Sequence, residues 1–154
     1  MKFEGKIRNF IETECEDYFL GMVDLTLVES SAIQQYESLL TEYPRAISIG
    51  VTLPPTISDE LSEIEDADGK NTVYNRVQCQ LKSITSNLSS LLEHEGYQAL
   101  SMPTAKGIIG MTYISFHEIV ANLANMGKIE KNHLITPEVG SRVNWGTVLT
   151  NAPL

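Results

Sequence analysis

The segment AISIGVTL, from Ala46 to Leu53, constrains the fold more than any other part of the sequence. It is almost wholly apolar and rich in β-branched residues, and Pro54 and Pro55 follow it directly. This composition is typical of a strand that is buried on both faces, and consecutive prolines end such a strand. We therefore expect this strand to lie in the centre of the sheet.

Apolar residues that recur every three or four positions predict helices elsewhere in the chain. The predicted helical segments are residues 2–16, a helix that holds Ile33 to Leu40 and ends at Pro44, residues 73–95, and residues 116–126. Gly96 supplies the C-terminal stop of the long helix. Ser115 and Glu118 form an S-x-x-E capping box at the start of the last helix, and Gly127 follows its end.

Further strands are expected where β-favouring residues cluster between turn residues. These segments are residues 18–28, 97–102, 133–136 and 142–150, the last two around the turn PEVG. Residues 56–71 are strongly acidic and predict a short exposed helix followed by a polar loop. Because there is neither an internal repeat nor a long linker, we expect one domain that spans residues 1–154.

Net charge, the length of apolar runs and the number of cysteines limit the functional classes to which the chain can belong. The 154 residues carry a net charge of -9, which disfavours a nucleic-acid partner. No apolar run is long enough to span a membrane and the N-terminal residues are charged, so we expect a cytoplasmic protein. Cys15 and Cys79 are the only cysteines, too few for a Cys-only zinc site or an iron–sulfur cluster built from this chain alone.

Two of the histidines, His117 and His133, are candidates for metal binding or acid–base catalysis, and also for a purely structural role. His117 and Glu118 begin a predicted helix, but an HExxH zinc motif needs a second histidine where this sequence has Ala121. His117 and His133 could meet in space as metal ligands or as acid and base, although a structural or surface role is favoured and no metal site is predicted.

Two features of the sequence are candidates for binding a cofactor. Gly107 to Gly110 forms a glycine-flanked segment that could approach a phosphate, but without a longer motif a simple turn is favoured. Trp145 with Arg142 could form a stacking platform for a flat cofactor, although packing in the core or at a subunit interface is favoured for a single tryptophan in a strand.

The last 40 residues contain the runs GKIEKNHLITPEVGSRV and TVLTNAPL. These runs closely resemble a segment of the epoxyqueuosine reductase-like family of iron–sulfur, corrinoid-linked reductases. Weaker similarity extends through GMVDL, PRAISIGVTL and LLEHEGYQAL to most of the chain. The resemblance implies an α/β sandwich of the nitroreductase and corrinoid-reductase type, with a mixed sheet covered by helices. In that family the matching region is an N-terminal cofactor-binding domain, followed by a ferredoxin-like domain that holds two iron–sulfur clusters.

Under this resemblance, the candidate cofactor contacts lie in the segments 104–110 and 136–145. The residues in question are Lys106, Gly107, Gly110, Thr136, Gly140, Arg142 and Trp145. A corrinoid is the first candidate cofactor and FMN the second. Because no Asp or Glu occupies residues 105–116, the catalytic aspartate of the tRNA-modifying members is missing, and whether the chain is an enzyme stays open.

Three functions follow as alternatives. The first is a cofactor-binding domain of a redox system that takes electrons from an iron–sulfur protein on another chain. The second is a degenerate interaction or regulatory module with the same fold and no cofactor. The third is a small-molecule enzyme that uses His117 or Tyr113 as acid or base. A lone domain would expose the surface that the ferredoxin domain covers in the family, so we also expect a homodimer.

Overall fold

The predicted helices and strands are largely present in the computed structural model, which describes residues 2–15, 18–27, 37–52, 72–102, 116–130, 133–140 and 143–153. The described helices are α1 (Lys2–Glu14), α2 (Glu37–Glu42), α3 (Thr72–His94) and α4 (Phe116–Leu123). The described strands are β1 (Tyr18–Asp24), β2 (Arg45–Thr52), β3 (Ala99–Ser101), β4 (Lys128–Glu130), β5 (His133–Ile135) and β6 (Val143–Thr150). A short 3-10 helix, Leu25–Leu27, follows β1.

The central strand pair of the sheet is β2 and β6. They run antiparallel over eight residues each, from Arg45 opposite Thr150 to Thr52 opposite Val143. The four-stranded sheet has the order β1-β2-β6-β3, so the prediction that the AISIGVTL strand is central is confirmed. A mixed sheet was expected, but every pairing among the described strands is antiparallel. The reason is that β2 and β3 run in the same direction and β6, which runs opposite to both, lies between them.

Side chains that alternate along the central strands divide the core into two layers. Ile47, Ile49 and Val148 point towards α1 and α3 and are fully buried there with apolar residues of both helices. Ala46 and Leu149 point to the other face, where they pack with α4. Burial of an isoleucine side chain contributes about 1.5–3 kcal/mol, so both faces stabilise the sheet strongly. The α/β class is thereby confirmed, with helices on both faces of one sheet.

Helix α3 ends in a Schellman motif at the predicted glycine. Gly96 has a φ of 96°, in the left-handed region, and its N–H donates to the Glu93 carbonyl at 3.0 Å. The N–H of Tyr97 donates to the Leu92 carbonyl at 3.1 Å. These two bonds satisfy carbonyls that the helix end would otherwise leave open.

Helix α4 ends in the same motif, but not at the residue expected. The sequence predicted a helix to residue 126 and a stop at Gly127, whereas α4 ends at Leu123. Asn125 adopts the left-handed conformation, with a φ of 66°, and the N–H of Met126 donates to the Ala121 carbonyl at 3.1 Å. Asparagine tolerates this region better than other residues with a β-carbon, so it replaces glycine here.

Glycine at position 50 makes room for an aromatic ring. Gly50 lies opposite Trp145 in the β2–β6 ladder. A β-carbon at Gly50 would lie 2.6 Å from Cγ1 of Val143 and 2.7 Å from Cζ3 of Trp145. The indole therefore covers the backbone of Gly50, and no larger residue fits without displacing it.

Polar contacts join the ends of three strands. Both the N–H and the hydroxyl of Thr26 donate to Oδ1 of Asp24, at 3.0 and 2.6 Å. The guanidinium of Arg45 lies 3.8 Å from Oδ2 of Asp24 and donates to the carbonyls of Asn151 and Ala152 at 3.1 Å each. The hydrogen bonds from Thr26, and secondarily the charge of Arg45, lower the pKa of Asp24.

Strand β4 was not expected from the sequence. It pairs with β5, from Lys128 opposite Ile135 to Glu130 opposite His133, in a separate two-stranded sheet. The predicted acidic loop of residues 56–71 and the segment 104–110 lie outside the described residues. None of the described helices is long and apolar enough to cross a membrane.

Substituting Gly96 by alanine is expected to destabilise the protein by about 1–2 kcal/mol, because alanine is strained at positive φ. Apart from its chain neighbours, no atom of the described residues lies within 4 Å of the added β-carbon, so a clash would not contribute. Gly5, within α1, also has nothing within 4 Å, and Gly5→Ala is expected to stabilise by about 0.5–1 kcal/mol. Urea denaturation measures both changes, and equal signs for the two variants would contradict the assignment of strain to Gly96.

Gly50→Ala is expected to cost about 1–3 kcal/mol, since the added methyl group overpacks the site. Trp145 is the only tryptophan of the sequence, so its fluorescence reports the displacement directly. We expect a red-shifted emission maximum in the folded variant, together with a lower urea midpoint. An unchanged emission spectrum would show that the ring does not lie against Gly50.

Asp24→Asn is expected to change how stability depends on pH. Because the folded pKa of Asp24 lies below the unfolded value of about 3.9, ionised Asp24 stabilises the fold above pH 4, and this contribution is lost as the pH falls through the folded pKa. The difference in melting temperature between the wild type and Asp24→Asn should therefore be largest at pH 6 and shrink towards pH 3. A difference that stays constant over this range would exclude the proposed role of the charge.

Candidate functional site

The structure describes some of the predicted site residues and not others. Lys106, Gly107, Gly110, Tyr113 and Arg142 lie outside the described residues. Thr136, Gly140 and Trp145 are described, and so is His117.

Thr136 and Gly140 close the predicted PEVG turn upon itself. Their backbones exchange two hydrogen bonds, from Thr136 N to Gly140 O at 2.9 Å and from Gly140 N to Thr136 O at 3.0 Å. The Thr136 hydroxyl donates to the Gly140 carbonyl at 3.0 Å and accepts from the N–H of Val139 at 3.1 Å. Gly140 has a φ of 65°, which explains the glycine. The polar groups of Thr136 therefore form hydrogen bonds within the turn. Pro137 and Glu138, which lie between its two ends, are exposed to solvent.

Trp145 packs in the core of the sheet. Its side chain is 8% exposed and clusters with Ala121 of α4 and Leu134 of β5. The Phe19 ring lies against it, with ring centroids 5.7 Å apart and planes at 44°. Its described neighbours thus surround the indole, in line with the packing role that was favoured from the sequence.

His117 lies in a buried polar row beneath α4. It is 5% exposed, and its Nδ1 lies 2.9 Å from the Thr147 hydroxyl. Ser48 lies opposite Thr147 in the ladder and is fully buried, and its hydroxyl has no hydrogen-bond partner among the described residues. Which of His117 and Thr147 donates depends on the tautomer. His117 and Thr147 thus form a buried, hydrogen-bonded pair, which is the geometry of a satisfied core histidine.

The second histidine belongs to a strand beside the same helix. Oε2 of Glu118 accepts a hydrogen bond from the N–H of Leu134 at 2.8 Å, so α4 and β5 are tied together one residue from each histidine. The side chain of His133 is outside the described part of the structure. No group of three His, Cys, Asp or Glu side chains that could hold a metal occurs in the described ranges.

An open groove lies beside the edge strand β1. Its volume is about 440 Å³, within the range of small-molecule sites. Three segments line it: Tyr18, Phe19 and Leu20 of β1, the residues Asn125 to Lys128 that follow α4, and Pro137 and Glu138 of the closed turn. Aromatic and aliphatic side chains therefore meet one cation and one anion at the rim.

Local contacts fix the walls of the groove. The Tyr18 hydroxyl donates to Oε1 of Glu12 at 2.9 Å. Burial, and secondarily the hydrogen bond to Glu12, raises the pKa of Tyr18, so the phenol stays neutral at physiological pH. On the opposite wall, Nδ2 of Asn122 donates to the Gly127 carbonyl at 2.8 Å. A β-carbon at Gly127 would lie 2.7 Å from the Ile135 carbonyl oxygen, so glycine lets this wall approach β5.

The sequence indicated part of this groove but not the residues that line it. The predicted segment 136–145 contributes Pro137 and Glu138, rather than Thr136 or Trp145. Phe19 and Met126 were assigned to a strand and to a helix, with no binding role. The sequence offered no signal for them, because the short loop after α4 that lies beside β1 is apparent only from the structure.

No family model and no curated protein matches the sequence. Among solved structures, the chain is similar to an epoxyqueuosine reductase from Streptococcus thermophilus, with a TM-score of 0.59, 16% identity, and coverage of 100% of this chain and 47% of that one. An epoxyqueuosine reductase solved with a modified tRNA-Tyr stem loop gives a TM-score of 0.61, 16% identity, and coverage of 99% and 46%.

A Bacillus subtilis epoxyqueuosine reductase, solved with its catalytic aspartate loop swung out of the active site, gives a TM-score of 0.59 at 17% identity and coverage of 99% and 46%. The chain thus spans just under half the length of these reductases. The resemblance noted in the sequence is confirmed at the level of the fold: these 154 residues have the α/β fold that epoxyqueuosine reductases contain within about half of their length.

Proposed function

We propose that the chain is a cofactor-binding domain of a redox system related to the epoxyqueuosine reductases. A corrinoid is the first candidate cofactor and FMN the second. The observation that carries the proposal is that the whole chain superimposes on just under half of these reductases. The groove beside β1 supports it, because it is open and offers apolar walls to a flat ligand.

The described residues fit one face of a flat cofactor at this groove. Phe19 and Met126 provide apolar contact and exclude water from a ring face. Lys128 and Glu138 are placed to hydrogen-bond polar substituents at the rim. A bound corrinoid would supply a cobalt ion that accepts and passes on electrons.

The electrons must come from outside these residues. The sequence holds two cysteines, whereas an iron–sulfur cluster is held by four protein ligands. Cys15 packs against the core that α1 and α3 share, and Cys79 is exposed on α3. We therefore propose an iron–sulfur protein as the source of the electrons. The net charge of -9 favours a protein partner over a nucleic acid.

A non-catalytic interaction module is the second candidate function. The observation that favours it is an exposed strand, β4, in which Ile129 is 41% exposed. The third alternative is an enzyme that uses His117 or Tyr113 as acid or base; Tyr113 lies outside the described residues, and His117 is buried against Thr147. Because His117 is buried among the described residues, a substrate has no direct access to it, and we rank this alternative last.

The cofactor proposal is tested by titrating the protein with hydroxocobalamin, and separately with FMN, while following visible absorption and Trp145 fluorescence. We expect saturable binding in the micromolar range with quenching of Trp145, because the Phe19 ring lies both in the groove and against the indole. Glu138→Phe should weaken binding at least about tenfold, since the added ring fills the groove.

Glu93→Phe is the matched control. Glu93 is exposed on α3, on the other face of the sheet, so this variant should bind like the wild type. If neither cofactor binds, the proposal fails and the interaction module takes its place. If binding is unaffected by Glu138→Phe, the cofactor site lies elsewhere and the groove assignment is overturned.

A further inference from the structure

Among the described residues, strand β4 has one open edge, and its sequence is self-complementary. Within the described part of the chain, β4 pairs on one side, with β5. All three of its residues, Lys128, Ile129 and Glu130, are exposed. Ile129 is the one exposed large hydrophobic side chain in the described ranges. Unpaired strand edges with exposed apolar residues tend to pair with other strands.

The order of charges determines which partner strand fits. We propose that β4 pairs antiparallel with β4 of a second copy of this chain, across a two-fold axis at Ile129. In that register each Ile129 lies opposite its counterpart, and each Lys128 lies opposite Glu130 of the other copy. Neither charged side chain has an ion-pair partner among the described residues, so both are available. Opposite charges directly across an antiparallel pair are favourable, whereas like charges are not.

The pairing also improves the sheet itself. Two-stranded sheets are marginal on their own, and pairing would convert two β4–β5 hairpins into one four-stranded sheet. A two-fold interface uses the same residues on both copies and closes after two chains, so it gives a dimer and not a fibre. The contact is small, which predicts a dimer that dissociates on dilution.

Charge reversal at β4 provides the test, read by sedimentation velocity over a range of micromolar concentrations. Glu130→Lys puts lysine opposite lysine at two places, so the dimer should dissociate at least about tenfold more readily. The double variant Lys128→Glu with Glu130→Lys restores opposite charges at both places, and the dimer should return. Lys82→Glu with Glu93→Lys, on the exposed face of α3, is the control and should dimerise like the wild type.

Dimerisation that is lost in the single variant and recovered in the double variant supports the proposal. A wild-type protein that stays monomeric throughout, or a dimer that Glu130→Lys leaves intact, overturns it. Circular dichroism of each variant confirms that the fold is retained, and recovery in the double variant excludes simple misfolding. The proposal does not rest on the cofactor, because sedimentation is measured without it and the single variant Glu130→Lys changes no residue that lines the groove.

Discussion

The antiparallel pairing of β2 with β6 is the interaction on which the other elements depend. Both strands are buried almost throughout, so their backbone groups must bond within the sheet because water does not reach them. Their alternating side chains supply the surfaces on which helices pack, with α1 and α3 on one face and α4 on the other. A slip of one residue would exchange the two faces, and Gly50 would no longer lie opposite Trp145.

The fold was predictable where a segment has a single strong pattern. The AISIGVTL strand is apolar at nearly every position, and the stripe along α3 extends over many turns and ends at Gly96. Prediction from such patterns fails for short elements. β4 has three residues, too few for any period, and the left-handed position after α4 could have been filled by Gly127 as well as by Asn125.

The site was harder to predict because residue type does not tell which face a side chain occupies. Threonine and tryptophan were chosen for their chemistry, but Thr136 bonds within its own turn and Trp145 lies on a buried face of β6. The groove is lined instead by Pro137 and Glu138, which follow Thr136 in the chain, and by Phe19, whose ring contacts Trp145. Only the register of the strands shows which of these side chains reach solvent.

Small residues beneath α4 connect the core to the groove. Gly21 lies opposite Ser48, which lies opposite Thr147, so a row of small side chains crosses the sheet under this helix. A β-carbon at Gly21 would lie 2.9 Å from both Cβ of Ala124 and Cε of Met126.

The absence of that carbon lets the chain after α4 lie directly against β1. It thereby allows a groove wall formed by Met126 and Gly127 beside Phe19. A larger residue at Gly21 would move that wall outward, so the shape of the groove is set by packing on the face of the sheet behind it.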